Sequence, residues 1–185
     1  RKITKEYAKA KSMLTKLELK YEWHQSLIEH AARKSIGFIS TPFDDESIMF
    51  LSYLGLDLFK IPSGEINNLP YLRTISKLGK KVILSTGMAN LGEIESAIKA
   101  LISNGLDRKK ITLLHCTTEY PAPFGEVNLL AMNTLKKTFN LPVGYSDHTE
   151  GIAISSAAAA LGARVIEKHF TLDRGLPGPD HMASI

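Results

Sequence analysis

The sequence predicts an α/β protein with the fold of a (β/α)8 TIM barrel, incomplete in this chain, with about six βα units. Three observations predict this fold. From Gly37 onward, short β-branched runs alternate with helical stretches. Glycines stand where several helical stretches end, as C-terminal caps do. Polar residues follow each predicted strand, and the carboxyl ends of all strands meet at one mouth of a barrel.

The individual elements follow from these patterns. Strands are predicted over 37–41, 58–62, 81–85, 111–115, 143–146 and 165–169, and helices over 26–33, 46–54, 69–78, 92–103, 127–139 and 151–161. A doubly wound sheet has the same alternation, but it concentrates its site at one switch point, so polar residues at every strand end favour the barrel. Eight units complete a barrel. We therefore expect residues 1–185 to be an incomplete barrel domain from a longer protein.

Composition restricts the functional classes. Hydrophobic residues make up 44% and charged residues 23% of the chain, which is ordinary for a globular protein. The net charge is +4, but Lys and Arg are interleaved with 19 acidic residues, so a nucleic-acid partner is not expected. No apolar run reaches the ~20 residues of a membrane helix. The single cysteine, Cys116, excludes an internal disulfide, and we expect a cytoplasmic protein.

Two strand ends predict an anion site. Lys60, Ser63 and Glu65 follow one strand and offer a cation, a hydroxyl and a carboxylate that can act on a proton. An exposed Lys/Glu pair in a turn is an equally open interpretation. Ser85 begins a glycine turn before a helix, where free backbone N–H groups favour phosphate, although Asn90 can simply cap that helix.

Two histidines predict a metal site. His148 and His169 follow consecutive strands, and neighbouring strands lie about 4.8 Å apart, so both rings can reach one divalent ion. Such a partial site leaves positions open for water or a substrate carbonyl. The alternative is a pair of hydrogen-bonded core histidines.

Two loops carry further candidates. Thr118 and Tyr120, between a strand and Pro121, offer a hydroxyl and a stacking surface for a sugar or phosphate. Cys116 is expected to be a small buried hydrophobe rather than a nucleophile. Asp180, in a turn-rich segment after the last strand, can accept hydrogen bonds from substrate hydroxyls or merely cap a turn.

Together these motifs resemble the sialic acid synthase family from about Leu14 to Ile185. The resemblance is carried by STPFD at 40–44, KIPSGEINNLPYL at 60–72, LSTGMA at 84–89, HCTTEYP at 115–121, GYSDHT at 144–149 and EKHFTLDRGLPGPDH at 167–181. It implies a (β/α)8 enzyme that condenses phosphoenolpyruvate with an N-acetylated amino sugar and releases phosphate. The PSGE segment after Lys60 is more similar to the neuraminate and legionaminate synthases than to the pseudaminate type.

The resemblance also implies roles for individual residues. Phosphoenolpyruvate would contact Lys60, Ser63, Ser85, Thr118 and Ser146. The metal, Mn²⁺ or Mg²⁺, would be held by His148 and His169, Glu65 would lie at the reacting centre, and Tyr120 and Asp180 would lie near the amino sugar. Many members have Asn at the position of Thr118.

The resemblance further implies that residues 1–185 lack the first two βα units of the family's barrel. It also implies a homodimer and a C-terminal antifreeze-like domain, which we expect to be absent here. Two other functions remain open. One is a metal-dependent aldolase or phosphosugar isomerase on the same barrel, because fold does not fix function. The other is a non-catalytic fragment that binds sugars.

Overall fold

The computed structural model describes residues 12, 15, 17–178 and 180–185. The chain divides into two compact units, Arg1–Phe38 and Ile39–Ile185. In the described part of the first unit, helix α1 spans Tyr21–Arg33, and His24 meets Phe38 edge to face with ring centroids 6.0 Å apart. The basic stretch at the start of the chain lies largely outside the described residues.

The second unit is a curved parallel sheet with helices in the connections, an incomplete barrel. Its elements in chain order are α2 (Asp45–Tyr53), β1 (Leu58–Ile61), α3 (Leu69–Lys77), β2 (Lys81–Ser85), α4 (Leu91–Ser103), β3 (Ile111–Cys116), α5 (Ala131–Phe139), β4 (Val143–Asp147), α6 (Ala153–Ala160) and β5 (Ile166–Lys168). The five described strands lie in the order β1-β2-β3-β4-β5, and every neighbouring pair is parallel. Short 3₁₀ turns occupy Ser63–Glu65, Arg108–Lys110, Phe124–Glu126 and His181–Ala183.

Local sequence explains where the helices begin. Asp44 accepts a hydrogen bond from the Ser47 amide at 2.6 Å and caps α2. Asn90 caps α4 in a capping box, since its side chain accepts from the Glu93 amide and the Glu93 carboxylate accepts from the Asn90 amide. The capping interpretation of Asn90 is therefore confirmed.

The register gives the sheet two chemically different faces. Side chains alternate along each strand. The helix-facing side carries fully buried residues such as Phe59, Leu84, Leu113 and Tyr145. The opposite, concave side carries Lys60, Ser85, Cys116, Ser146 and Glu167, with Cys116 paired to Ser146 and Ser146 to Glu167 across the strands. The apolar core therefore fixes one face and leaves the other for polar groups.

One predicted strand is wrong, and two predicted helices, over 26–33 and 127–139, begin at other residues, the first at Tyr21. Residues 37–41 form no strand, and the described sheet has five strands rather than six. The apolar run does not pair with β1, and Ile39 is 46% exposed, because a strand requires a hydrogen-bonded neighbour as well as extended propensity. Helix α5 begins at Ala131 rather than at 127, since Asn128 has a positive φ of 43° that ends any helix there.

None of the helices in the described part of the chain has the length and apolar character that crossing a bilayer requires.

Candidate active site

A cavity of about 300 Å³ opens at the carboxyl ends of the strands, on the concave face. Its lining brings together most of the predicted site residues with several that were not predicted: Lys60, Pro62, Ser63, Gly64, Ser85, Met88, Cys116, Thr118, Tyr120, Ser146, His148, Glu167 and His169. Residues from β1 to β5 contribute, so the sheet must curve around one space. This is the arrangement that a barrel mouth predicts.

A chain of polar contacts crosses the cavity. The Lys60 ammonium lies 3.2 Å from Glu167 Oε2, and the Lys60 side chain is only 9% exposed. Ser146 Oγ donates to Glu167 Oε1 at 2.6 Å. The carboxylate therefore holds both a buried cation and a hydroxyl, and it compensates a charge that would otherwise be costly to bury.

His148 presents one ring nitrogen to the cavity. Its Nδ1 lies 2.5 Å from the Thr117 carbonyl oxygen and donates to it, which fixes the tautomer and leaves Nε2 with its lone pair. Nε2 lies 3.2 Å from Ser146 Oγ. Burial, together with the neighbouring His169, lowers the pKa of His148 against opposing effects, the largest from the Thr117 carbonyl. The ring is therefore neutral around pH 7, as a metal ligand must be.

His169 and Tyr120 complete an aromatic cluster around His148. The two imidazole centroids are 5.4 Å apart with the rings nearly perpendicular. Tyr120 stacks on His148 at 4.0 Å and meets His169 edge-on at 5.5 Å. Burial raises the pKa of Tyr120 to about 12, so the phenol is un-ionised and can donate a hydrogen bond.

Asp180 reaches this cluster through His169. Its Oδ2 lies 3.4 Å from His169 Nδ1, the position of a carboxylate that orients an imidazole. The described residues contain no group of three or more His, Cys, Asp and Glu side chains arranged to hold a metal ion. Among the residues that line the cavity, His148 and His169 are the two that carry imidazole nitrogens.

The anion side of the cavity is tightly packed around Gly87. Ser63 Oγ accepts from the Gly87 amide at 3.0 Å and lies 3.3 Å from Cys116 Sγ. A Cβ on Gly87 would lie 2.6 Å from Thr118 Cγ2 and 2.9 Å from both Cys116 Sγ and Ser63 Oγ. A side chain at position 87 would therefore force these neighbours to shift. Cys116 is 7% exposed, as expected of a small buried residue, but it also lines the cavity.

Ser85 carries an unused hydroxyl. Its Oγ is buried and has no hydrogen-bond partner among the described residues. The residue is 3% exposed and forms part of the cavity wall. A buried polar atom without a partner costs free energy, typically about 1–3 kcal/mol, which a ligand in the cavity can recover.

Glu65 does not line the cavity. It ends the 3₁₀ turn Ser63–Glu65, where successive side chains point about 120° apart, and its Oε2 accepts from Asn68 Nδ2 at 2.7 Å. The turn therefore separates it from Ser63, and its role at a reacting centre stays a prediction.

Glu167 is the main residue that the sequence prediction missed. The signal was present, because Glu167 and His169 are two positions apart on β5 and its extension, as Ser146 and His148 are on β4 and its extension. Alternation places members of such pairs on the same face.

Comparison with known proteins identifies the family of this chain. The NeuB family model matches residues 1–185. The chain is 66% identical over 173 residues to the N,N'-diacetyllegionaminic acid synthase of Campylobacter jejuni, covering 94% of this chain and 52% of that protein. It is 37% identical to the human N-acetylneuraminate-9-phosphate synthase, over 91% of this chain and 46% of that protein. The chain thus spans about half the length of these relatives.

Solved structures share the fold. The N-acetylneuraminic acid synthetase of Leptospira borgpetersenii superposes with a TM-score of 0.91 at 37% identity, covering 96% of this chain and 61% of that one. A truncated 3-deoxy-D-arabino-heptulosonate 7-phosphate synthase from Thermotoga maritima matches with a TM-score of 0.77 at 20% identity, over 91% of this chain and 66% of that one. The latter shows the barrel-type fold alone. The resemblance to the sialic acid synthases is confirmed, and the chain belongs to the NeuB family.

Proposed function

We propose that this chain provides the cavity in which a transferase condenses phosphoenolpyruvate with an N-acetylated amino sugar. The products are a nine-carbon sialic-acid-like sugar and inorganic phosphate. Higher identity to relatives named N,N'-diacetyllegionaminic acid synthase, 66% and 52%, than to the human N-acetylneuraminate-9-phosphate synthase, 37%, favours a 2,4-diacetamido sugar as the acceptor.

The unpartnered Ser85 hydroxyl, in the same cavity wall as the buried Lys60 ammonium, is the observation that carries this proposal. An ammonium has three donors, so Lys60 can keep Glu167 and still bind an oxygen of a ligand. Ser63 and Ser146 add hydroxyls in the same cavity. A cation with surrounding hydroxyls suits the carboxylate and phosphate of phosphoenolpyruvate.

A divalent metal, Mn²⁺ or Mg²⁺, would bind on the other side of the cavity. His148 is fixed in the tautomer that leaves Nε2 available, and His169 is oriented by Asp180. Imidazole donors with remaining open positions suit Mn²⁺ better than Mg²⁺, which prefers oxygen. When bound by His148 and His169, the ion would supply Lewis-acid polarisation of the acceptor's aldehyde.

The reaction balances with water as the third reactant. C3 of phosphoenolpyruvate forms a bond to the aldehyde carbon, water adds at C2, and phosphate leaves with cleavage of the C2–O bond. Lys60 and the serine hydroxyls hold the anionic end throughout, and the charge of Lys60 is less screened than in bulk water because its side chain is buried. Tyr120 and Asp180 would position the acceptor beside the histidines, and Glu65 and Thr118 are further candidates for contact with the reactants.

Phosphate release by the full-length protein tests this function. We expect phosphate when phosphoenolpyruvate and a 2,4-diacetamido sugar or N-acetylmannosamine are both present, with Mn²⁺. The matched control is the same sugar reduced to its alditol, which has no aldehyde to accept C3. Release from phosphoenolpyruvate alone, or with the alditol, would contradict condensation.

We further propose that the full-length protein is a cytoplasmic homodimer, on the basis of its resemblance to the sialic acid synthases. Light scattering coupled to gel filtration should then give twice the subunit mass.

A further inference from the structure

A second polar cluster lies on the helix-facing side of β4 and β5, behind the cavity. Asp147 is fully buried, and its Oδ1 accepts from the Thr149 amide at 2.9 Å and from Thr149 Oγ1 at 2.7 Å. Its Oδ2 accepts from Ser155 Oγ at 2.5 Å. Lys168 Nζ lies 3.4 Å from the same Oδ2, and Lys168 also donates to the Thr149 carbonyl.

The position of this pair in the chain links it to the cavity. Asp147 and Lys168 are register partners on β4 and β5. Each immediately precedes a cavity histidine, His148 or His169. Because side chains alternate, the ion pair points away from the cavity while the next residue on each strand points into it. The Asp147–Lys168 contact on the helix-facing side therefore constrains the distance between His148 and His169 on the cavity side.

Strand β5 needs such a constraint. It has three residues, lies at the edge of the described sheet and pairs with β4 at three positions. Ile166, at its start, is 37% exposed, so apolar packing holds it weakly. Beyond β5, the Ile185 amide donates to the His169 carbonyl at 3.0 Å. The Asp147–Lys168 contact joins β4 to β5 through side chains on the helix-facing side. On the cavity side, the hydrogen bond from Ser146 to Glu167 joins the same two strands.

We propose that Asp147 and Lys168 are positioning residues that set the separation of His148 and His169 and thereby the affinity of the metal site. We call the Asp147–Lys168 contact the tether. It acts on the histidines through the backbone, since neither residue lines the cavity. This inference rests on the proposed function, because it presumes that the two histidines bind Mn²⁺.

Two variants and one control test the tether in the full-length protein. Lys168→Met removes the cation, but it leaves Asp147 buried without its charge partner and can destabilise the fold. The double variant Asp147→Asn/Lys168→Met removes both charges and keeps the strands folded while the tether is lost. The matched control is Lys80→Met, which breaks the exposed pair of Lys80 with Asp57, 2.6 Å apart, near the start of β2.

Calorimetric titration with Mn²⁺ and, separately, with phosphoenolpyruvate provides the measurement. We expect the Mn²⁺ dissociation constant to rise about tenfold or more in both tether variants, as happens when outer contacts of metal-binding histidines are removed. Binding of phosphoenolpyruvate should change less, because most of its proposed contacts, Lys60, Ser63, Ser85 and Thr118, lie on or after β1, β2 and β3. Ser146 is the proposed contact that lies on β4. Lys80→Met should match wild type with both ligands.

The possible failures are distinguishable. Folded tether variants that keep the wild-type Mn²⁺ affinity, or that lose both ligands equally, would overturn the inference. A wild-type protein that binds no Mn²⁺ would contradict the proposed metal site instead. Crystal structures of the metal-free proteins test directly whether the tether sets the separation of the histidines. If the imidazole centroids remain 5.4 Å apart in the double variant, the inference is overturned. A changed separation supports it.

Discussion

Lys60 and Glu167 come from opposite edges of the described sheet, β1 and β5, yet their charged atoms lie 3.2 Å apart. In a flat sheet, four strand spacings would separate them by roughly 19 Å. The ion pair therefore spans the concave face, and only strong curvature allows it. It also places the cation of the predicted anion site within the same cavity as the two histidines.

Replacing Ser85 should weaken ligand binding without lowering the stability of the fold. The hydroxyl has no partner among the described residues, so Ser85→Ala should leave the free energy of unfolding unchanged or raise it by up to about 1 kcal/mol. KM for phosphoenolpyruvate should rise about tenfold, equivalent to about 1.4 kcal/mol. Denaturant titration and steady-state kinetics measure both.

The neighbouring Thr86 provides the control for Ser85. Its hydroxyl donates to the Leu114 carbonyl at 2.9 Å, so Thr86→Val should lower the free energy of unfolding by about 1 kcal/mol. If Ser85→Ala were equally destabilising and left KM unchanged, the hydroxyl would be structural.

Adding a methyl group to Gly87 should disturb the anion side of the cavity. Three side chains lie within 2.9 Å of the new Cβ, so Gly87→Ala should cost about 1–3 kcal/mol of stability and weaken phosphoenolpyruvate binding. Gly64→Ala, in the same cavity wall, meets nothing within 4 Å and should fold normally. Equal melting temperatures for the two variants would contradict the close packing.

Met88 holds a strained backbone at the edge of the cavity. Its φ is 63°, and its side chain is 79% exposed, so Met88→Gly relieves strain and sacrifices little packing. The free energy of unfolding should stay equal or rise by up to about 1 kcal/mol, measured with urea. Met49→Gly, at an exposed site in α2, should instead lose about 1 kcal/mol through helix propensity. A comparable loss in both variants would refute the strain at Met88.

His115 should make stability depend on pH. Burial lowers the pKa of His115 more than its backbone hydrogen bonds to Val127 and Asn128 raise it. As the pH falls below about 6.5, His115 takes up a proton in the unfolded chain before it does so in the folded protein. The free energy of unfolding therefore decreases with falling pH until the pH is below the pKa of His115 in the folded protein. His148, whose pKa is also lowered, contributes with the same sign.

The variant His115→Gln tests the direction of this pH dependence. The His115 Nε2 donates to the Val127 carbonyl at 2.8 Å, and a glutamine amide can replace that donor without titrating. The free energy of unfolding should fall less between about pH 7 and about pH 5 in the variant than in wild type. If the free energy of unfolding decreased equally with pH in both proteins, His115 would not be the source of the pH dependence.

The sequence allowed most of the sheet and much of the cavity to be predicted because both depend on local patterns. The predicted span of β2 is confirmed at Lys81–Ser85, and β1, β3 and β4 differ by one residue at one end. Their β-branched and apolar runs occupy the buried helix-facing side, so burial and propensity agree. The residues directly after those strands then had to meet at one end of the sheet.

Features that depend on distant partners could not be predicted in this way. The segment 37–41 has strand composition but no pairing partner in the described sheet. The contact of Glu167 with Lys60 could not be predicted, because it depends on the curvature of the whole sheet. Glu65 follows the same strand end as Ser63, but a single 3₁₀ turn separates their directions.

Calorimetric titration of phosphoenolpyruvate into the full-length protein, its Lys60→Met variant and the Lys80→Met control tests the central claim most directly. Circular dichroism first establishes that all three are folded. We predict that wild type and Lys80→Met bind alike, whereas Lys60→Met binds about 10- to 100-fold more weakly, as expected for the loss of a charged hydrogen-bond donor. Equal binding by all three proteins would place the phosphoenolpyruvate site away from Lys60 and contradict the assignment of this cavity.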